Sequence, residues 1–265
     1  MLRTLQLVLF ITISFTGCCD EQCHAKFPLP DVFLFEGQPI PDAILENFFG
    51  TAVAGFGAPN LKLNILKSLA EYDQKKINTS DTFDEGSESE GCYQPRTVFE
   101  WEYVGPIHKS FHVVRAYTWE VGCLGKFTGI LILKREGNII QIVDIIYGGD
   151  RHSSMIFEGC RIQEDLIVYS QAVTTGNIVD EAIAQHPEIM EICPKTHWKN
   201  ICYGEAGYYG SFEKTAKISP EGKVRKIHLI RFIPCAGSEK DGEIYAKGGL
   251  KAIALDLLAD EAKEK

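Results

Sequence analysis

Hydrophobic and polar residues alternate along much of the chain after residue 92, the pattern of half-buried β-strands. In the first such segment Phe99, Trp101 and Tyr103 share one face. Turn residues separate the later runs, with Gly137-Asn138 the clearest hairpin signal. We predict strands at 97–103, 111–121, 127–133, 139–147, 156–157, 166–173, 208–218 and 224–233. About seven or eight short strands predict a mainly β (α+β) fold, an antiparallel β-sandwich or barrel with peripheral helices.

Apolar residues recur at helical spacing in four other segments. Asn60 and Asn177 stand where N-caps are expected for two of these helices. The alternation at the start of the second segment also leaves a strand open there. We expect the apolar stripe of the last segment to dock on the sheet. The predicted helices are 41–49, 61–76, 177–187 and 250–262.

The segment from Asn78 to Glu90 is acidic and contains one large apolar residue, Phe83. It cannot bury enough apolar surface to order itself, so it is interpreted as an acidic linker or loop. This gives five parts: a signal peptide at 1–17, a lipidated N-terminus and tether at 18–40, a helical segment at 41–77, the linker at 78–91, and an antiparallel β domain with a C-terminal helix at 92–265.

The first residues have the composition of a secretory signal peptide. Arg3 precedes an apolar stretch from Leu5 to Phe15, and small residues follow. The stretch is shorter than the roughly 20 residues that a membrane-spanning helix needs. We therefore expect the protein to be exported.

The residues Thr16-Gly17-Cys18 at the end of this stretch resemble the lipobox of bacterial lipoproteins. The resemblance implies that Cys18 becomes an acylated N-terminus and that several acyl chains anchor the protein to a membrane. Phe15 departs from the leucine that the family prefers, which leaves secretion after ordinary cleavage as the alternative. In the enteric members, aspartate after the lipid cysteine retains the protein at the inner membrane. Cys19 stands there instead, which favours the outer membrane.

The amino-acid composition restricts the classes of partner that the protein is expected to bind. The 265 residues are 45% hydrophobic and carry a formal net charge of −9. A chain of this length can bury an ordinary core. Its acidity argues against nucleic acid as a partner. We expect contact with a membrane through the lipid anchor, and an envelope protein or a small ligand as the partner of the folded domain.

Nine cysteines favour disulfides in an exported chain. With Cys18 acylated, the candidates within the domain are Cys92, Cys123, Cys160, Cys193, Cys202 and Cys235. Zinc and thiol catalysis are the alternatives, since His197 lies between the fourth and fifth of these cysteines. Tight Cys-x-x-Cys pairs are missing from the sequence, so we predict no metal and no cofactor.

The loop that follows the strand at 139–147 is the most suggestive site for chemistry. It combines Asp150 and His152 with glycines and hydroxyls, and imidazole titrates near neutral pH. A structural turn is the simpler interpretation, because no nucleophile motif lies beside it.

Other polar side chains suggest weaker sites. Glu100, Glu102 and Glu120 could pair as the carboxylates of a glycosidase. His108 and His112 share a strand face and could bind a metal.

Two functions therefore remain open. The first is a lipid-anchored cell-envelope protein whose β domain binds or scaffolds. The second is an envelope or secreted hydrolase that uses Asp150 and His152. The missing nucleophile motif favours the first, so whether the chain is an enzyme stays open, with the balance against catalysis.

Overall fold

The computed structural model describes residues 30–54, 59–80, 97–120, 126–149, 154–157, 159–192, 209–235 and 239–263. In chain order, its strands are β1 (Leu34–Phe35), β2 (Gln38–Pro39), β3 (Lys62–Asn64), β4 (Thr97–Ile107), β5 (Phe111–Glu120), β6 (Lys126–Glu136), β7 (Ile139–Tyr147), β8 (Arg161–Gln163), β9 (Leu166–Val173), β10 (Gly210–Ile218) and β11 (Val224–Pro234). Its α-helices are α1 (Asp42–Val53), α2 (Ile65–Ser80), α3 (Thr175–Gln185), α4 (Ile189–Ile192) and α5 (Glu239–Lys263).

The longer strands form two antiparallel sheets. Sheet I has the order β3-β7-β6-β5-β4, and sheet II has the order β11-β10-β9-β8. Short turns join the antiparallel pairs β4–β5, β6–β7, β8–β9 and β10–β11, and Gly137 adopts a φ of 57° in the turn between β6 and β7. β1 and β2 form a separate two-residue hairpin beside a 3₁₀ turn, Asp31–Phe33.

Alternation along the strands of sheet I gives it two apolar faces. Leu131 and Leu133 of β6 pack with α1, α2 and the N-terminal hairpin, while Ile130 and Ile132 face sheet II. Between the sheets these two isoleucines belong to one core with Val113, Ile167 and further residues. The architecture is therefore a β-sandwich with a helical layer outside sheet I.

Sheet II extends past the part that sheet I covers. Ile167 and Tyr169 of β9 belong to the core between the sheets, whereas Val173, on the same face of the strand, packs with α3 and α5. The inner face of sheet II is thus covered first by sheet I and then by two helices. The boundary between these two cores is where polar side chains collect.

The predicted fold class is confirmed: the protein is mainly β, with antiparallel sheets and peripheral helices. The two separate sheets make it a sandwich rather than a barrel. The stripe at the end of the chain docks as expected, since Leu250 and Ile253 of α5 are buried against sheet II. The described part has eleven strands, more than predicted, and β4 and β6 are longer than expected, whereas β7 has the predicted bounds.

Three local predictions were wrong: two concerned the residue that caps a helix, and one concerned a strand. Asn64, not Asn60, caps α2, because its Oδ1 accepts the Lys67 amide at 3.1 Å. Thr174, not Asn177, is the N-cap of α3, and the two form a reciprocal capping box. Ile156 forms only an isolated bridge to Gln171.

Two boundaries also differ. α2 runs to Ser80, so the first residues of the predicted linker are helical; residues 81–91 lie outside the described part. α5 begins at Glu239, well before the predicted start, and breaks at Gly249, whose φ is 65°.

Candidate functional site

The loop carrying Asp150 and His152 lies partly outside the described residues, but both of its ends are fixed to β6. The amide of Gly148 donates to the carbonyl of Thr128 at 2.9 Å, and the amide of Thr128 donates to the carbonyl of Gly149 at 3.2 Å. After the loop, the hydroxyl of Thr128 accepts the Ile156 amide at 2.9 Å. Asp150 and His152 themselves are not described, so their roles stay predictions.

The structure explains why glycine occupies positions 148 and 149 of this loop. A β-carbon on Gly148 would overlap the hydroxyl of Thr128 and the side chain of Ile156. Gly149 has a φ of 63°, in the left-handed region that glycine adopts without strain.

A belt of polar side chains crosses the space between the sheets on the side of this loop. We call Glu102, Arg115, Tyr169, Gln171 and Lys214 the polar belt. The first two come from paired positions on sheet I, and the other three share the inner face of sheet II. The belt separates the apolar core between the sheets from the apolar core beneath α3 and α5.

Arg115 is the buried cation of the belt. Only 7% of the residue is exposed, and its Nη1 donates to Glu102 Oε2 at 2.8 Å. The guanidinium also lies 5.6 Å from the ring centroid of Tyr117. Its Nε is buried and has no hydrogen-bond partner among the described residues. Unsatisfied buried donors are rare, so this position is costly for the fold.

Cys160 and Tyr169 connect the two sides of the belt. Burial raises the pKa of the Cys160 thiol to about 12, and the charge of Glu102 adds to that rise. Burial also raises the pKa of Tyr169, with contributions from Cys160 and from Glu181 of α3. Both groups are therefore neutral at physiological pH and form buried polar side chains without charge.

A cavity of about 310 Å³ opens at the end of the belt, between sheet II and α3; we call it the α3 cavity. Nine residues line it: Ser154, Gln171, Val173, Asn177, Asp180, Glu181, Ala184, Phe212 and Lys214. Carboxylates, amides, an ammonium group and an aromatic ring thus surround one small volume. Its size lies at the lower end of the range for small-molecule sites.

Lys214 contributes the positive charge at the wall of this cavity. Its side chain is only 15% exposed, and its ammonium group lies 3.6 Å from Glu181 Oε2 and 5.2 Å from the ring centroid of Phe212. The ion pair and the ring hold the ammonium in place. Nearby, burial raises the pKa of Asp180.

Gln171 ties the cavity to the end of the loop. Its Nε2 donates to the carbonyl of Ser154 at 2.9 Å, and both residues line the α3 cavity. The loop with Asp150 and His152 therefore ends at this cavity. No spacing in the sequence indicates this, because the lining residues come from four separate segments.

A second opening lies in the outer helical layer. This helical groove, of about 620 Å³, runs between α1 and α2 and is lined by Ala43, Ile44, Asn47, Phe48, Thr51, Leu61, Leu63, Ser68, Glu71 and Tyr72. The lining is largely apolar, and its only carboxylate, Glu71, lies 3.8 Å from Lys67. The groove therefore offers shape and apolar area but few directed polar contacts.

The other histidine candidates are used within the fold. His108 Nε2 lies 3.0 Å from the carbonyl of Ile218, and His112 Nδ1 lies 3.0 Å from the hydroxyl of Tyr103. Burial lowers the pKa of His112. Each ring thus has its own partner, and in the described ranges no group of three His, Cys, Asp or Glu side chains could hold a metal.

The pairing of β4 with β5 contradicts the hypothesis that Glu100, Glu102 and Glu120 form a glycosidase carboxylate pair. Glu100 pairs with Tyr117 and Glu102 with Arg115, whereas Glu120 pairs with Thr97. Glu120 is therefore not opposite the other two, and Glu102 is neutralised by its arginine.

Among the cysteine candidates, the structure shows Cys160 as a buried thiol that is not in a disulfide. Cys92, Cys123, Cys193 and Cys202, together with Cys18, lie outside the described residues, and the amide of Cys235 donates to the carbonyl of Tyr209 at 3.3 Å. Pairing among the cysteines other than Cys160, and acylation of Cys18, stay predictions.

Comparison with protein-family models, with curated proteins and with solved structures finds no match. Within the described part of the chain, no helix is long and apolar enough to cross a membrane. The chemistry of the α3 cavity is therefore the main guide to function.

Proposed function

We propose that the chain is an exported, lipid-anchored cell-envelope protein whose sandwich binds a small polar ligand in the α3 cavity. The observation that carries the binding proposal is the constrained ammonium group of Lys214 in a cavity that also contains carboxylates and amides. Convergent polar groups at the wall of a small cavity are typical of ligand sites. The anchor rests on Thr16-Gly17-Cys18 at the end of the apolar run.

The lining favours a ligand that carries both signs of charge. Lys214 and the Gln171 amide can donate to a ligand carboxylate, while Asp180 and Glu181 can accept from a ligand amine. Phe212 offers an aromatic surface beside them. Amino acids and short peptides have this combination of groups and fit a cavity of about 310 Å³.

The binding test is a thermal-shift screen of amino acids and dipeptides, followed by titration calorimetry on each hit. Lys214→Met should retain the fold and lose at least tenfold in affinity, because the methionine keeps the apolar stem and removes the charge. Lys217→Met is the matched control: Lys217 lies on the same strand, more than half exposed and paired with Asp165. Equal affinity in the two variants would refute the site.

The anchor test is separate. In a bacterial host supplied with labelled palmitate, the wild type and Cys19→Ser should incorporate label, and Cys18→Ser should not. Label in all three proteins would exclude Cys18 as the acylated residue.

A hydrolase remains the second candidate because Ser154, at the end of the loop with Asp150 and His152, lines the same cavity. Under this alternative, the hits of the screen are substrates or products. His152→Ala should then abolish turnover of a bound dipeptide and leave its affinity unchanged. If wild-type protein does not turn over any bound compound, the binding function stands alone.

A further inference from the structure

β11 is the edge strand of sheet II. Among the residues that the structure describes, it pairs only with β10, and its outer side is open over seven residues. The two ends of its outer side are occupied: the amide of Val224 donates to Asp144 Oδ2 at 2.9 Å, and the amide of Phe232 donates to the hydroxyl of Tyr245 at 3.2 Å. Between these ends, the described part of the chain places no other strand beside Arg225–Arg231, which we call the β11 edge.

The β11 edge exposes apolar side chains. Ile227 is 45% exposed and Ile230 is 50% exposed, and Ile233, just beyond the edge, is 38% exposed. Isolated exposed isoleucines are common on proteins, but here three of them lie on one edge strand. A long edge with exposed apolar residues is a template for pairing with another strand.

The charge of the edge is one-sided. β11 contains Arg225, Lys226 and Arg231 and no acidic residue. Arg225 and Arg231 are paired with Glu221 and Glu213, but both arginine side chains stay largely exposed. Lys226 makes no ion pair within the described residues. The strand itself thus carries three cationic side chains and no carboxylate, on a chain whose net charge is −9.

We propose that an extended, acidic segment of another protein docks on the β11 edge as a fifth strand of sheet II. Main-chain hydrogen bonds would supply affinity, the isoleucines would receive apolar residues of the segment, and the basic side chains would select acidic ones. Antiparallel pairing of two β11 edges would bring cations of the two copies together around His228. The charge pattern therefore favours an acidic partner over a second copy.

The probe is a fluorescein-labelled nine-residue peptide of alternating glutamate and valine, followed by fluorescence anisotropy. A lysine–valine peptide tests charge selection. A glutamate–valine peptide N-methylated at alternate amides tests main-chain pairing, because methylation removes the donors. We expect binding of the first peptide and at least tenfold weaker binding of the other two.

Variants of the protein locate the binding. Ile230→Asp and Lys226→Glu should each weaken binding of the acidic peptide at least tenfold. Leu66→Asp is the matched control, because Leu66 is 52% exposed on α2, far from sheet II in the layer order. Circular dichroism melting tests whether each variant is folded. If Ile230→Asp does not fold, Lys226→Glu alone tests the binding site.

Three outcomes would overturn the proposal. The acidic peptide does not bind, or binds no better than the lysine peptide. The methylated peptide binds equally well, which excludes main-chain pairing. Sedimentation shows a dimer of the free protein that Ile230→Asp dissociates, which assigns the edge to a second copy.

Discussion

The two ends of the space between the sheets differ in chemistry although the same strands line both. On β6, Ile130 and Ile132 point into an apolar core, and two residues earlier Thr128 takes the same inward position. On β5, Val113 is followed two residues later by Arg115. Strand alternation is unbroken across this change, so the backbone does not distinguish the two ends.

This difference indicates that the apolar end of the space stabilises the fold, whereas the polar end is suited to binding. Each fully buried isoleucine contributes about 1.5–3 kcal/mol through the hydrophobic effect. The polar belt contributes much less, because burying Arg115 and Lys214 costs desolvation that their ion pairs only offset. Two members of the belt, Gln171 and Lys214, line the α3 cavity, and polar groups that converge on a cavity are the expected composition of a ligand site.

The largest effect should come from the apolar end. Ile132→Ala should lower the free energy of unfolding by about 3–4 kcal/mol, because it removes buried methyl groups and leaves a cavity. Urea denaturation measures the change. Ile230→Ala, at an exposed position, is the control and should stay within about 0.5 kcal/mol of wild type. A loss below about 1 kcal/mol for Ile132→Ala would mean that the apolar end is not the stabilising core.

The pH dependence of the free energy of unfolding should reveal the buried thiol of Cys160, which lies between the two ends. The folded-state pKa of Cys160 is raised from 9.0 to about 12, so the folded protein keeps the thiol protonated where the unfolded chain ionises. This stabilisation is present below pH 9 and is lost as the pH rises from 9 towards 12.

Ionisation of the thiol in the unfolded chain should lower the free energy of unfolding by up to about 1.4 kcal/mol per pH unit in that range. Denaturation at pH 8 and at pH 10.5 measures it, and Cys160→Ala should show a shallower decline than wild type. Identical declines in the two proteins would show that the thiol is not buried as described.

The smallest effect should come from the buried arginine. Arg115→Met should change the free energy of unfolding by less than about 1 kcal/mol, in either direction. The substitution removes an unsatisfied Nε, and the remaining carboxylate of Glu102 is 49% exposed and can be hydrated. A loss of about 3 kcal/mol or more in urea denaturation would make the belt a stabilising element and erase the contrast with Ile132.

The regular parts of the fold could be predicted from local pattern. Period-two alternation and the Gly137-Asn138 turn predicted β6 and β7, and apolar spacing predicted α1. The caps were harder, because several Asn and Thr residues near a helix start can serve. In the structure Asn64 and Thr174 serve as the caps, which the apolar spacing alone does not single out.

The candidate site could not be predicted in the same way. Arg115 carried a signal, since it interrupts the inward apolar positions Phe111, Val113 and Tyr117, but the sequence does not show its partner. The α3 cavity needs β9, β10, α3 and Ser154 to meet, and their separations along the chain follow no motif. Such convergence depends on tertiary packing, which periodicity does not encode.

The most direct test of the binding account is a ligand-induced chemical-shift map of ¹⁵N-labelled protein, titrated with the best amino acid or dipeptide from the screen. We predict shifts at Gln171, Asn177, Ala184 and Lys214, which line the α3 cavity, and unchanged amides at Asn47 and Ser68, which line the helical groove. Shifts confined to the helical groove would contradict the assignment of the ligand site to the α3 cavity.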